Sequence, residues 1–300
     1  MKLGYYNLLA ITVCFHAMLS VGSICAQTPG GVPNTDLKLW LKSNVGVSEA
    51  SGKVSIWDDQ SGNSAAATQP DGLIQPSYTA TNPFFNNNPS VDFPLVSGVG
   101  MVTGAALETN LYSCFLVYNS TSSSTANRRA LQSSGNFLIG PYNNNSSFHA
   151  GAWVYNSDPD GTVVPQISTA TSNGNPLLNA FFHVNGQLKS AAAGVTATLA
   201  PQTLSLGAEG YVNEPMGGSI AEVIAFGRLV TEDERRQIES YLAVKYGLTL
   251  DQTLASNYYN STGGVIWDAA VNGAYKRNVF AIGSESASGL NVTSSRSATS

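Results

Sequence analysis

The stretch 218–248, GSIAEVIAFGRLVTEDERRQIESYLAVKYGL, carries two periodicities in succession. Ile220, Ala221, Val223, Ile224, Ala225 and Phe226 form an apolar run broken only by Glu222. A run this short, rich in Val, Ile and Phe, reads as a buried strand. The period then changes. Thr231 with Glu234 three residues on is a capping box: the Thr hydroxyl can accept from the Glu234 amide while the Glu carboxylate reaches back. Ile238, Tyr241, Leu242 and Lys245 follow at helical spacing, and Gly247 stands where a left-handed stop is expected. A core strand therefore runs into one short amphipathic helix. Thr231, Glu234 and Gly247 are structural residues on this reading.

Working outward, the chain reads as β structure. Leu37, Leu39 and Leu41 alternate with Trp40 in the stretch 36–47, and 54–57 is a second short strand. Between them and the next segment lies Asp58-Asp59-Gln60-Ser61-Gly62-Asn63, a loop dense in turn formers. Strand-like runs follow at 112–118, 137–139, 148–155, 181–184 and 203–206, separated by Asn, Gly, Ser and Pro clusters. That spacing favours a sandwich over βαβ units. Asn185-Gly186 is the strongest hairpin signal, since a two-residue type I′ turn needs positive φ twice.

LWLKSNVGV, IWDDQSGNSAAATQP, PSVDF and IAEVIAFGRLVTEDERRQIESYLAVKYGL occur in that order over residues 36–248. Together they resemble the laminin-G-like family of concanavalin A-like jelly rolls found in secreted and surface proteins of Gram-negative bacteria. The resemblance implies an all-β fold of two packed antiparallel sheets with one short C-terminal helix. Residues 251–300 change character: Asn257-Tyr258-Tyr259, Val265–Asp268, Ala274-Tyr275 and Ala281-Ile282-Gly283 read as strand fragments. They resemble the start of a domain of unknown function that often follows such modules. Glu285-Ser286 replaces the acidic pair usual there. Fifty residues are few for an independent β domain, so the expected organisation is 36–248 as the sandwich and 251–300 as part of a second, truncated domain.

The N-terminus adds a compartment. Residues 1–26 combine Lys2, an apolar centre over 8–21 and a small residue, Ala26, before a cut, which predicts an export signal. The run is short for a membrane anchor, and Ile24 is bulky for the position before a lipidated Cys25. Residues 27–35 follow as a Pro/Gly linker. The expected location is secreted or on the outer cell surface. Without Lys2 the chain has 13 basic against 19 acidic residues, a net of −6. Charged residues are 11% of the chain, against about 25% in typical globular proteins. Basic residues adjoin only in pairs, at Arg128-Arg129, Arg235-Arg236 and Lys276-Arg277, so a nucleic-acid partner is not expected. No integral membrane segment is expected after cleavage. Cys114 would be the one remaining cysteine, a small buried hydrophobe.

Catalytic patterns are sparse. Neither G-x-S-x-G nor a phosphate loop occurs, and His149 and His183 lack metal-ligand spacing. Glycosidases on concanavalin-like folds need two carboxylates across the scissile bond. The strand pattern E-x-D-x-E is missing. Glu222, the acid inside the core strand, is either a catalytic carboxylate or a buried structural acceptor. Asp58 and Asp59, with Asn63, could hold Ca²⁺ or cap their own turn. Asp158 and Asp160 begin a calcium-loop-like segment, but Ile167 stands where the bidentate Glu belongs. The same residues also read as a turn. Aromatics are the other lead, because sugars stack their apolar faces on Trp and Tyr. Trp153 and Tyr155, on one side of one strand by simple alternation, and Tyr142 with Asn144 are the candidate carbohydrate-binding residues. Three functions compete: a non-catalytic carbohydrate-binding or adhesion module for a glycan or surface glycoprotein, a glycoside hydrolase with an unrecognised site, and a structural spacer of a large surface protein.

Overall fold

A computed structural model describes residues 27–121, 127–159, 164–175, 177, 179–191, 194–208, 214–276 and 281–295. The predicted export signal, 1–26, lies outside the described residues, as does Asp160. The fold is an all-β antiparallel sandwich. One layer orders the strands Leu37–Lys42, Gly218–Phe226, Leu111–Ser120, Gln166–Asn173 and Ala180–Val184. The other orders Gly100–Leu107, Gln202–Gly207, Leu131–Ser133, Phe137–Tyr142, Asn145–His149 and Trp153–Pro159. Ser90–Phe93 pairs with Gly218–Ile220 and, through Ser77–Thr79, Lys53–Trp57 and then Ala67–Thr68 on Gly100–Leu107, joins the layers into one continuous hydrogen-bonded sheet.

The first layer is buried on both faces, which explains its near-continuous apolar strands. Leu39, Leu41, Cys114, Leu116, Val223, Ala225 and Phe182 point into the core between the layers, against Met101, Leu107, Leu131, Ile139, Phe148 and Leu206. Trp40, Phe115, Val117, Ile224 and Phe226 point the other way, onto the helix Glu232–Tyr246 and its Ile238, Tyr241 and Leu242. Burial pushes the Cys114 thiol up to about 12, so it packs as an inert hydrophobe.

Two bulges in this layer decide which side chains face the helix. The register shifts between Leu37 and Leu39, so Leu37 joins Trp40 on the helix side rather than Leu39 and Leu41 in the core. It shifts again between Ile220 and Glu222. A bulge leaves one extra residue opposite one partner. Ala221 is that residue, and Glu222 beyond it faces the helix with its cross-strand neighbour Val117.

The helix is capped as the sequence motif requires. Thr231 Oγ1 accepts from the Glu234 amide at 3.2 Å, and Glu234 Oε2 accepts from the Thr231 amide at 2.8 Å. Arg228 donates to both Glu234 oxygens, at 2.7 and 2.9 Å. Gly247, at φ 65°, closes the other end by donating to the Ala243 carbonyl.

Beyond the helix, Tyr258–Tyr259 pairs with Val265–Trp267, and Gly283–Glu285 with Leu290–Val292. Ala274 and Tyr275 lie in a 3₁₀ turn, Gly273–Tyr275, rather than a strand. Tyr258 and Val292 are buried in the helix-side cluster. Among the described residues no helix is long and apolar enough to cross a membrane.

Candidate functional site

The functional geometry begins at the type I′ turn predicted at Asn185-Gly186, where φ is 48° and 81°. The turn is tied on both sides. Asn185 Oδ1 accepts from the Ile167 amide at 2.8 Å, and the Asn185 carbonyl accepts from the Asp251 amide at 2.7 Å. The hairpin tip is thus held to the segment after the helix. Cross-strand partners share a face, so Phe181 with Thr171 and His183 with Thr169 form a row looking toward the helix. The row, the first turns of the helix and residues 250–259 enclose a cleft of about 790 Å³. Phe181, His183, Gln187, Arg235, Asn257 and Tyr259 are among the lining side chains.

An ion network forms one wall. The Arg235 guanidinium donates to Glu232 through Nε at 3.1 Å and Nη2 at 2.7 Å. Its Nη1 donates to Glu239, which also accepts from Thr169 Oγ1 at 2.8 Å. Burial raises the Glu239 carboxyl above its ordinary range despite Arg235. Glu232 is held below its ordinary range: Arg235 and Arg236 outweigh its partial burial. Burial, helped by the positive charge of Arg235, pushes His183 down to about 3, so its ring is neutral at neutral pH. The Nδ1 of His183 is buried and has no hydrogen-bond partner among the described residues.

Glu222 sits elsewhere, sealed under the helix. Its carboxylate accepts from Trp40 Nε1 at 2.6 Å, Tyr241 OH at 3.0 Å, Lys245 Nζ at 2.6 Å and Tyr246 OH at 2.7 Å. The residue is 1% exposed. Burial and the adjacent carboxylate raise both tyrosine hydroxyls well above their ordinary range, so they remain donors.

The aromatic candidates are divided. The ladder shifts between Phe148 and His149, pairing Phe148 with Tyr155 but His149 with Trp153. Val154 is the additional residue and is buried in the core. Simple alternation therefore fails, and Trp153 and Tyr155 face opposite sides. Tyr155 packs against Phe182 in the core at a centroid distance of 5.8 Å. Trp153 is 40% exposed and meets Tyr142 and His149, each at 4.9 Å. What reads as one strand over 148–155 is a hairpin, Asn145–His149 and Trp153–Pro159. Asn143 and Asn144, at φ 50° and 59°, make a second tight turn beside Tyr142. Asn144 Oδ1 is buried without a partner among the described residues.

The described acidic candidates, Asp58, Asp59 and Asp158, stand in two separate places. Asp59 Oδ1 accepts from the Trp40 and Ser61 amides at 2.9 Å each, and its Oδ2 from Ser61 Oγ at 2.6 Å and the Ala65 amide at 3.1 Å. These donors make Asp59 a clasp for its own turn. Asp58 is exposed beside it. Asp158 pairs with Lys189 at 3.0 Å. No group of three or more His, Cys, Asp or Glu suited to a metal occurs among the described residues.

The cleft residues were not assembled from the sequence. His183 is read there only as lacking metal-ligand spacing, and neither Glu232 nor Glu239 is given a site role. The one usable signal was Asn185-Gly186, which predicts the hairpin but not what packs on it.

A family model described as a domain of unknown function (DUF8202) matches residues 234–300, from within the helix to the end of the sequence. That is well under half of the chain. No curated protein matches. Among solved structures, a Trypanosoma rangeli sialidase in complex with sialic acid is 13% identical with a TM-score of 0.47, covering 71% of this chain and 33% of its own. The binding domain of botulinum neurotoxin DC in complex with SialylT is 13% identical with a TM-score of 0.47, covering 70% of this chain and 52% of its own. This chain thus spans a third to about half of the solved structures it matches.

Proposed function

We propose that this chain is a secreted or cell-surface carbohydrate-binding module of the laminin-G-like kind, which holds a glycan in the cleft between helix and hairpin without cleaving it. The cleft has the size of a ligand site, where about 300–1,000 Å³ is usual. Its rings, Phe181 and Tyr259, and its polar side chains, His183, Gln187 and Asn257, are the types that stack on and hydrogen-bond to sugar. Its rim is organised by hydrogen bonds, so little ordering is needed when ligand arrives.

The observation that carries the non-catalytic reading is the position of Arg235. Two carboxylates in the cleft, Glu232 and Glu239, are shifted in opposite directions, which is the usual signature of an acid and base pair. A glycosidase keeps the space between its carboxylates free for the scissile bond and, when inverting, a water. Here the Arg235 guanidinium fills that space and bonds both. Glu222 is sealed away with four donors already on it.

The test is a glycan array probed with the intact chain, followed by an assay for reducing ends on each bound glycan. Retention without release of sugar is expected. Reducing ends formed by the wild type and lost in Glu239→Gln would replace this reading with the hydrolase one.

A further inference from the structure

We infer that the cleft selects uncharged, hydroxyl-rich saccharides and rejects those bearing carboxylates, such as sialic or uronic acids. The inference rests on the proposed glycan-binding role and names the ligand class. Its basis is the bonding of the cleft's cations. Recognition of a carboxylate normally uses the free fork of an arginine. Glu232, Glu239 and Asp251 line the cleft with Arg235 and Arg236. Arg235 spends Nε and Nη2 on Glu232, and Nη1 on Glu239 and, at 3.5 Å, on the Gly186 carbonyl. Arg236, more exposed, is 3.0 Å from the same Glu232. The nearby Lys189 ammonium stands between Asp158 and Asp251, at 3.0 and 3.9 Å.

An arriving carboxylate would meet Glu232 and Asp251; to reach Arg235 it would have to displace Glu232 or Glu239, and at Arg236 it would share a guanidinium that already holds Glu232. Juxtaposed like charges are an effective device against a wrong ligand. A hydroxyl group meets no such barrier. His183 lines the cleft with a neutral ring, and Gln187, which donates to Thr253 Oγ1, and Asn257, which accepts from the Ala269 amide at 2.8 Å, each keep a further N–H and lone pair for a hydroxyl. Glu232 is then a specificity-determining residue, because it is the one carboxylate bonded to both guanidiniums.

The experiment compares a neutral oligosaccharide retained by the array with its α-sialylated counterpart, each titrated against the folded chain by calorimetry. The wild type should bind the neutral member at least about tenfold more tightly, the penalty expected for unfavourable charge placement. Glu232→Gln removes one repelling charge and releases the Nε side of Arg235, so the gap should close by about tenfold. Gln187→Ala, at the rim, should weaken the neutral ligand without changing the melting temperature. Equal or tighter binding of the sialylated member, lost in Gln187→Ala, would overturn the selectivity and leave the glycan-binding role standing. Binding lost in Trp153→Ala but kept in Gln187→Ala would move the site to the other layer and overturn the inference. Retention of no glycan by a folded wild type would remove both the role and the inference.

Discussion

Replacing Lys245 by Met tests how the helix is held to the sheet. The Lys245 ammonium donates to Glu222 at 2.6 Å and to the Tyr241 hydroxyl at 3.1 Å. The two charged side chains are 6% and 0% exposed. Met keeps most of the aliphatic stem, so the packing of Lys245 is largely preserved while its charge is lost. Glu222 would keep three neutral donors but lose its ammonium partner. Breaking a buried pair from one side costs about 3–5 kcal/mol, because the remaining charge stays desolvated. For a chain of this size each kcal/mol moves the melting temperature by about 2–4 °C, so a fall of roughly 6–20 °C is expected. Among the described residues Lys42 is the nearby ammonium that could compensate. It already lies 4.0 Å over the Trp40 ring, and burial lowers its pKa. The double variant Glu222→Gln/Lys245→Met removes both charges and should recover part of the loss, with a coupling of about 0.5–3 kcal/mol. Circular dichroism melts and urea titrations of the wild type, both singles and the double give the cycle. A Lys245→Met variant within about 0.5 kcal/mol of wild type, the ordinary range for surface changes, would refute the reasoning. So would single costs that simply add.

Thr231→Ala should cost about 0.5–2 kcal/mol, since it removes one half of the capping box; an unchanged urea midpoint would show that Arg228 alone holds Glu234. Phe148→Ala should cost about 3–5 kcal/mol of stability, whereas Trp153→Ala, two residues before Tyr155, the cross-strand partner of Phe148, should cost much less because its ring is substantially exposed; similar melting points for the two would contradict the opposite-facing assignment. Because His183 has a folded pKa of about 3 against 6.5 in the unfolded chain, the unfolded state binds the extra proton between those values, so stability should fall as pH drops from 6.5 toward 3. His183→Gln should flatten that part of the profile, and a wild-type-shaped curve in the variant would assign the loss to other groups. The proposed division between 36–248 and 251–300 predicts a protease-resistant core ending near Leu250, and equal resistance through Val292, which with Tyr258 is buried against the helix, would merge the two units.

Local signals were enough for several parts of this molecule. The Thr231/Glu234 box, the Gly247 stop and the Asn185-Gly186 turn depend on backbone chemistry within a few residues, so the sequence expresses them directly. The sandwich class was legible for a related reason: many short apolar runs spaced by turn formers can bury their faces only by layering. Which face a side chain takes was legible only while alternation held. Each bulge adds one residue and reverses the pattern beyond it, and no local rule marks Lys38, Ala221 or Val154 as the places where that happens. The tertiary structure therefore decided that Leu37 faces the helix, that Glu222 meets Lys245 and two tyrosines, and that Trp153 and Tyr155 part company. It also decided the cleft. Thr169, His183, Arg235 and Asp251 come from separate elements, and their approach depends on how the helix and the following segment dock on the sheet. That docking is set by long-range packing and by charges that must find partners once water is excluded.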